Sequence, residues 1–413
     1  MTKDQYTRRR FLELGSGAVA GAGILSLNDQ QAGIYHDQDQ KSKATGDPGP
    51  ANPLLDAQNP DSFSPVSTDH GAVTTFKYPF SFAHKRLEEG GWSREVTVRE
   101  LAVSKSIAGV NMRLTAGGIR ELHWHTAAEW AYMLYGKARI TGFDAHGKPF
   151  VSDVGVGDLW YFPTGIPHSI QGLGPDGCEF LLVFDDGSFS EYETVLLTDW
   201  TAHTPREVLA KNIGVPESAF KNIPAHELYI FQAEMPGSLA DDIRAVGGAE
   251  NITHERFDFH LTAQPPTKRT KSGEVRIVDS STFTVSKTIA AALVTLHPGG
   301  MRELHWHPNA DEWQYYIAGK GRMTVFATAG RARTMDFQAG DVGYIQQTLP
   351  HYVENTGEGD LTFLEMFKSS FYQDISLNDW LAHMPPELVA AHLHLDKATF
   401  DAIPKEKLVI VPR

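Results

Sequence analysis

A single cysteine, Cys178, is all the thiol chemistry this 413-residue chain holds. An intramolecular disulfide is therefore excluded. Nothing beside Cys178 in sequence resembles an activating base, so it reads as a buried structural thiol. Basic residues are scarce as well: 37 Lys and Arg stand against 51 Asp and Glu, a formal net charge of −14. Clustered cations able to neutralise phosphates are missing, which argues against a nucleic-acid partner. The mildly apolar stretch from Leu14 to Leu27 is too short and too rich in Gly to be a good membrane span. What remains is ordinary for a globular protein, 41% apolar and 21% charged. The length allows two domains with full cores.

The chain opens on Thr7-Arg8-Arg9-Arg10-Phe11-Leu12 and then that weakly apolar stretch. The pattern resembles a twin-arginine export signal over residues 1–27, which implies a periplasmic or extracellular protein. That route carries proteins that are already folded. Residues 28–75 are polar, contain Asp47-Pro48-Gly49-Pro50, and read as a flexible linker or arm. From Phe76 onward, short Val/Ile/Thr/aromatic runs are split by Gly and Pro turns: Glu95–Leu101, Ala108–Leu114, Ala138–Phe143, Leu159–Phe162 and Phe180–Phe184. Strands this short and evenly spaced predict an all-β sandwich or jelly-roll barrel. Thr204–Asn222 and Pro385–Ala402 have helical spacing with Pro near the start.

The strongest organisational fact is an internal repeat. GGIRELHWHTAAEWAYMLYG, Gly117 to Gly136, returns as GGMRELHWHPNADEWQYYIAG, ending at Gly319. His168 follows Glu129 by 39 residues, and His351 follows Glu312 by the same 39. Arg120, His123 and His125 map onto Arg302, His305 and His307 at an offset of 182, whereas Glu129 and His168 map onto Glu312 and His351 at 183. Beyond them Asp199-Trp200, His203 and Ile223-Pro224 recur as Asp379-Trp380, His383 and Ile403-Pro404 at 180. The first copy therefore carries three extra residues between Phe184 and Leu197. Two copies of one domain are expected, 76–240 and 241–413.

Residues two apart on a strand face the same way, so His123 and His125 project together with Trp124 behind them. Glu129 keeps that parity if the chain stays extended; the extra residue before Glu312 demands a bulge or turn. His168 must arrive from another strand. Three imidazoles and one carboxylate leave coordination positions open. A hard oxygen donor among nitrogens suits Mn²⁺ or Fe²⁺ better than a closed tetrahedral Zn²⁺ site. With 18 His in the chain, about one HxH arises by chance. His392-Leu393-His394 is such a decoy, because residues two apart on a helix diverge. Chance does not repeat a whole quartet. His203 and His383 each neighbour a Trp at a helix start and read as packing or capping groups.

At these residues the chain resembles the cupin superfamily. The motif G-x5-H-x-H-x3/4-E-x6-G is matched from Gly117 to Gly136 and from Gly299 to Gly319. A second motif runs from Gly157 through Pro163, Gly165 and His168, with Gly172 in place of its closing Asn. In the second copy Gln346 and Thr348 replace its Pro and Gly, while His351 and Asn355 fit. The resemblance extends to bicupin oxalate decarboxylases over about residues 76–405, carried by GGWSREVTVREL, GDLWYFPTGIPHSIQ and FLLVFDDGSFSE.

That resemblance implies two tandem jelly-roll β-barrels, each with short C-terminal helices, in a homo-oligomer (trimer or hexamer). It implies two Mn(2+) per chain, one on His123, His125, Glu129 and His168, the other on His305, His307, Glu312 and His351. Dioxygen would be the co-catalyst and oxalate the small-molecule substrate. Arg120 and Arg302 would each hold one carboxylate of oxalate. In the family the segment bearing the three extra residues is a mobile lid over the first site. Its Glu corresponds to Glu191, which would take and return a proton, with Thr194 latching the lid. Here the lid reads Ser190-Glu191-Tyr192-Glu193-Thr194. Tyr192 and Glu193 depart from small polar residues, and Glu193 is a second carboxyl that could take the acid role or tune closure. Glu365, where the first copy has Leu182, is either a proton donor at the second site or a hydrogen-bonding strand residue.

The implied reaction is decarboxylation of oxalate to formate and CO₂, principally at the first site. An oxalate oxidase would produce two CO₂ and peroxide from the same quartet; a carboxyl on a closing lid favours decarboxylation. A storage-type bicupin generally lacks the full ligand set, and eight intact ligands argue against it.

Overall fold

The computed structural model describes residues 49–411. The expected signal, 1–27, and the segment 28–48 lie outside the described residues. Two β-barrels follow one another. In the first, Gly91–Val96, Ala108–Leu114, Cys178–Phe184 and Glu129–Phe143 pair in that order, antiparallel. Glu129–Phe143 is 15 residues long and serves both faces. Its first half pairs with Leu159–Phe162, and its second with Pro149–Gly155 and His168–Gly172. In the second barrel the equivalent chain is broken at Gly319 into Glu312–Ala318 and Lys320–Ala327. Gly136 and Gly319, which close the repeated motif, have φ of +72° and +84°. A Cβ at either would collide with backbone, the Gly177 carbonyl in one case and Asp360 in the other.

Ala108–Leu114 and Leu159–Phe162 stand as strands where their composition puts them. The expected strand Glu95–Leu101 is displaced: it runs Gly91–Val96, and the chain turns at Thr97. There the Glu100 carboxylate takes both the Thr97 N–H and its hydroxyl, each at 2.9 Å. The helical segments resolve into Arg206–Ile213 in the first copy and Pro386–Leu393 with Lys397–Asp401 in the second. Leu197–Ala202 and Leu377–Ala382 add a helix to each copy. His203 and His383 cap the ends of those two helices rather than their starts; each ring nitrogen lies 2.8 Å from the carbonyl four residues earlier. Cys178 is buried as expected, its thiol pushed up to about 12 by burial.

Sheet membership crosses the expected 240/241 boundary in both directions. Lys77–Pro79 pairs with Asp341–Ile345 of the second barrel, and Asp258–Phe259 pairs with Leu159–Phe162 of the first. Residues 61–70 of the expected arm make specific polar contacts with the second barrel, which their composition did not suggest. Asp61 and Asp336 each accept the other's backbone N–H (3.1 and 3.2 Å), Asp69 takes the Thr334 hydroxyl at 2.8 Å, and His70 bridges Ala332. Low apolar content misled because these contacts are polar and reach about 265 residues ahead. One apolar core runs through both barrels and includes Val110, Trp130, Leu293 and Trp313. Gly109 leaves room for the Trp313 indole.

The second copy's motif departure has a local cost. Gly165 has φ of +74° and its N–H meets the His125 carbonyl at 3.0 Å; Thr348 makes the same turn on His307 at 3.0 Å with φ of +68°. A β-branched residue in the left-handed region is strained by about 1–3 kcal/mol. Thr348 is exposed, so no packing is lost on truncation. Thr348→Gly is expected to stabilise the protein by about 1 kcal/mol after the entropy of the added glycine. A rise of about 1–3 °C in the thermal midpoint checks it.

Candidate metal centres

Each site starts on one strand. Gly118–His125 pairs with His168–Gly172 so that His123 and His168 are directly opposite; Met301–Trp306 and His351–Asn355 place His305 opposite His351. In both ladders the register shifts between the arginine and the first histidine. This β-bulge reverses side-chain parity, which is how Arg120 and Arg302, three residues before an inward His, also turn inward. The two Glu ligands do not follow on an extended chain, as parity alone suggested for Glu129. Each opens a new strand after a turn, Glu129–Phe143 and Glu312–Ala318, so the extra residue before Glu312 is absorbed in the turn.

Among the described residues two groups gather tightly enough for an ion: His123, His125, Glu129 and His168, and His305, His307, Glu312 and His351. In each, the ligand atoms lie within 4.8 Å of one another, and all eight side chains are buried. Every imidazole is oriented by its own Nδ1. His123 meets the Glu121 carbonyl at 2.7 Å, His125 that of Ala127 at 2.6 Å and His168 that of Ile166 at 2.8 Å. His305, His307 and His351 meet the carbonyls of Glu303, Gln373 and Leu349 at 2.6, 2.7 and 3.0 Å. A carbonyl only accepts, so Nδ1 carries the proton and Nε2 turns a lone pair inward.

Most inward atoms lack hydrogen-bond partners, the exception being His125 Nε2, which lies 3.3 Å from Glu129 Oε2. Nε2 of His168, His305, His307 and His351 and Oε2 of Glu312 are buried and orphaned. Such atoms are costly unless something binds them. Burial, the neighbouring arginine and the other imidazoles push His123 and His305 far below the ordinary histidine range. Burial alone would raise Glu129 and Glu312, but the adjacent histidines hold both well below the carboxylate range. Neutral nitrogens with one carboxylate are the donor set of a divalent cation, so the residues fit Mn²⁺. Behind the carboxylates the copies differ. Glu129 takes the Trp160 indole N–H at 2.9 Å, whereas Glu312 takes the Gln314 amide at 2.6 Å, itself held by Tyr316.

A cavity of about 150 Å³ opens on the first quartet, lined by Arg120, Leu182, Phe184, Phe189, Thr194 and Tyr229 among others. At the second, Glu365, Tyr372 and Asp374 occupy the positions of Leu182, Phe189 and Thr194. Arg302 is wholly buried there, its Nη2 2.6 Å from Asp374 and 2.7 Å from the Tyr372 hydroxyl, and its Nε 3.5 Å from Glu365. Burial and nearby Glu312 push Glu365 up to about 8, against the pull of Arg302. Asp374 is held down to about 2 by Arg302 and Lys407, against its burial.

A cupin model matches the chain twice, at residues 82–219 and 259–401. The chain belongs to the cupin family. Among its curated relatives, oxalate decarboxylase OxdC of Bacillus subtilis (strain 168) is 57% identical over 364 residues, covering 88% of this chain and 94% of the relative. A probable oxalate decarboxylase of Arthroderma benhamiae is 42% identical over 368 residues, 88% of this chain and 90% of the relative. The Bacillus subtilis oxalate decarboxylase structure at pH 4.6 superposes with a TM-score of 0.85 over 88% of this chain and 94% of that one. Another structure of that enzyme, studied for its Mn(II) centres, gives 0.85 over 88% and 96%.

In this cupin the segment expected to be a lid meets the first site through Thr194–Leu196, which pairs with the ligand strand so that Thr194 is opposite His125. The Thr194 hydroxyl is buried and has no hydrogen-bond partner. Glu191–Glu193 forms a single 3₁₀ turn just before it; of Glu191 only the backbone is described. Tyr192 is 87% exposed and Glu193 is exposed, so neither faces the cavity in this conformation. The matching segment of the second cupin is welded down: Gln373 holds His307 and Asp374 holds Arg302. His392 and His394 stay outside both quartets; each is exposed, and His392 bonds the Leu388 carbonyl. Sequence reasoning missed Tyr372 and Asp374, whose partners are distant in sequence. It also missed Glu121 and Glu303, although the repeated Arg-Glu pair displayed both.

Proposed function

We propose that this cupin decarboxylates oxalate to formate and CO₂ at its first metal site, with two Mn²⁺ per chain and dioxygen as co-catalyst. The observation that carries the reading is the buried His₃Glu quartet, with His168 Nε2 left orphaned, facing a small cavity beneath Arg120, in a chain whose relatives include oxalate decarboxylases. The Mn ion with dioxygen supplies the one-electron oxidation that weakens a C–C bond between two carboxylates. The chain's own residues do the rest. Arg120 takes one carboxylate of oxalate through paired N–H donors, and the other is left to the quartet. Leu182, Phe184 and Phe189 form a wall that keeps water out. Oxalate plus one proton divides into CO₂ and formate, so the carbon left when CO₂ departs must be protonated. Glu191 on the lid is the donor we assign, with Thr194 latching the closed lid over the cavity.

Substitution of Leu182, Phe189 and Thr194 by Glu365, Tyr372 and Asp374 supports assigning turnover to the first site. At the second, Arg302 is ion-paired to acids of its own chain, and we assign Glu365 to the Tyr372 hydroxyl, 3.5 Å away, rather than to substrate. Export by the twin-arginine route and assembly into trimers or hexamers belong to the same reading, supported by Thr7–Leu12 and the family resemblance. Cell fractionation tests the first and light scattering the second. The reaction is tested on Mn-loaded protein given oxalate. One formate per CO₂ with little peroxide is expected; two CO₂ with peroxide and no formate would show an oxidase instead.

A further inference from the structure

We propose that Glu121 is a positioning residue for oxalate binding. Its carboxylate locks the returning Leu228–Tyr229 segment, and that segment aims the Arg120 guanidinium at the first metal site. The inference rests on the assignment of Arg120 to a carboxylate of oxalate.

Glu121 sits in the bulge between Arg120 and His123, on the face away from the ligands, and is buried. Its Oε1 accepts the Thr198 N–H at 2.9 Å and the Thr198 hydroxyl at 2.8 Å. Its Oε2 accepts the N–H of Leu228 at 3.0 Å and of Tyr229 at 2.7 Å. A carboxylate has about four lone-pair sites, and here four donors fill them. A packing residue needs no such set; this one ties two separate segments, at Thr198 and at Leu228–Tyr229, to the strand that bears the ligands.

What the carboxylate secures is an unfavourable backbone. Tyr229 has φ of +52°, the left-handed region that a bulky residue rarely enters. In that conformation its carbonyl takes the Glu121 N–H at 3.0 Å and Arg120 Nη1 at 3.2 Å. Its ring lies under the same guanidinium, 4.2 Å from centroid to carbon, and Arg86 stands 3.7 Å from that centroid. Two guanidiniums so close to one ring occupy opposite faces, so Tyr229 is clamped between them. The phenol oxygen is fixed by Ser93 at 3.0 Å. Arg120 is thus held by a carbonyl and a ring face that exist in this orientation only while the Tyr229 backbone is strained.

The second cupin repeats the backbone half of this device. Glu303 accepts the Val409 N–H at 2.9 Å and the Ser376 hydroxyl at 2.7 Å. Val409 has φ of +63°, and its carbonyl takes the Glu303 N–H at 3.1 Å and Arg302 Nη1 at 3.3 Å. A strained residue, tyrosine in one copy and valine in the other, is kept where its carbonyl meets the arginine. The shared element is the Arg-Glu pair, so the glutamate works through the arginine. The ring is present only at the site to which turnover is assigned.

The test is a double-mutant cycle on Mn-loaded full-length protein, reading the oxalate dissociation constant by anaerobic titration calorimetry together with Mn content. Glu121→Gln keeps the side chain's shape but turns an NH₂ toward N–H donors. It is expected to weaken oxalate about tenfold with two Mn retained, raising KM far more than it lowers kcat. On an Arg120→Ala background the same change is expected to weaken binding by less than about twofold. Equal weakening on both backgrounds, or no weakening at all, overturns the inference. If Arg120→Ala itself leaves oxalate binding unchanged, the assignment of Arg120 fails instead. Should Glu121→Gln not fold, Thr198→Val, which removes one of the four donors, is measured in its place. About threefold weaker binding is then expected, and none overturns the inference.

Discussion

Glu191→Gln is expected to abolish formate release, by about 10²–10⁴-fold, while Mn content stays at the wild-type level. The amide has nearly the carboxyl's shape but no proton to give and return, so lid closure is preserved and proton delivery is lost. Glu191 lies in a three-residue turn next to the strand that pairs with His125, so lid movement needs only a short hinge. Once protonation is slow, the fragment left after CO₂ departs is open to further oxidation. Residual turnover should therefore shift toward CO₂ and peroxide. Product analysis by NMR and a peroxide assay, beside metal analysis, checks both halves. Unaltered formate release would mean that the acid lies elsewhere on the lid, and Glu193, exposed here, is the first alternative to substitute.

Arg302→Ala is expected to destabilise the protein by about 3–5 kcal/mol and to leave formate turnover of the folded enzyme within about threefold of wild type. The penalty comes from what is left behind. The Asp374 side chain is 5% exposed and ionised, held down to about 2 by Arg302 and Lys407 against its burial. Without the guanidinium the carboxylate keeps the partly exposed Lys407 and the neutral Tyr372 hydroxyl at 3.4 Å. Glu365 is already pushed up to about 8 by burial and Glu312, and loss of Arg302 pushes it further, so it adds little. The penalty concentrates on one carboxylate. A fall of roughly 3–15 °C in the thermal midpoint is the measurement. Arg120→Ala has the opposite signature: a modest change in midpoint and a loss of about 10²–10³ in kcat/KM, because its guanidinium faces the cavity. Equal kinetic losses in the two variants would contradict the separation of roles.

Legibility followed sequence distance. Both quartets, the doubled barrel and the three-residue excess stood out because a repeat at fixed spacing displays which residue types both copies need. Arg120 was expected to face inward, and does, but by a bulge that no alternation rule supplies. The parity argument for Glu129 failed because the turn after His125 resets the strand. Composition gave no sign of the polar contacts of Asp61 and Asp69, because their partners lie about 265–275 residues ahead. The silent half of the asymmetry, Tyr372 and Asp374 on Arg302, joins residues about 70 apart and left no local pattern.

By itself the sequence determined the ligand sets, the number of barrels and the place where they differ, because short-range spacing dictates which side chains share a strand face. Only the tertiary structure decided which arginine is neutralised by its own chain, which strands change barrels and which glutamate braces Tyr229. Those depend on pairings across loops, whose partners are chosen by packing and burial rather than by neighbours in the chain.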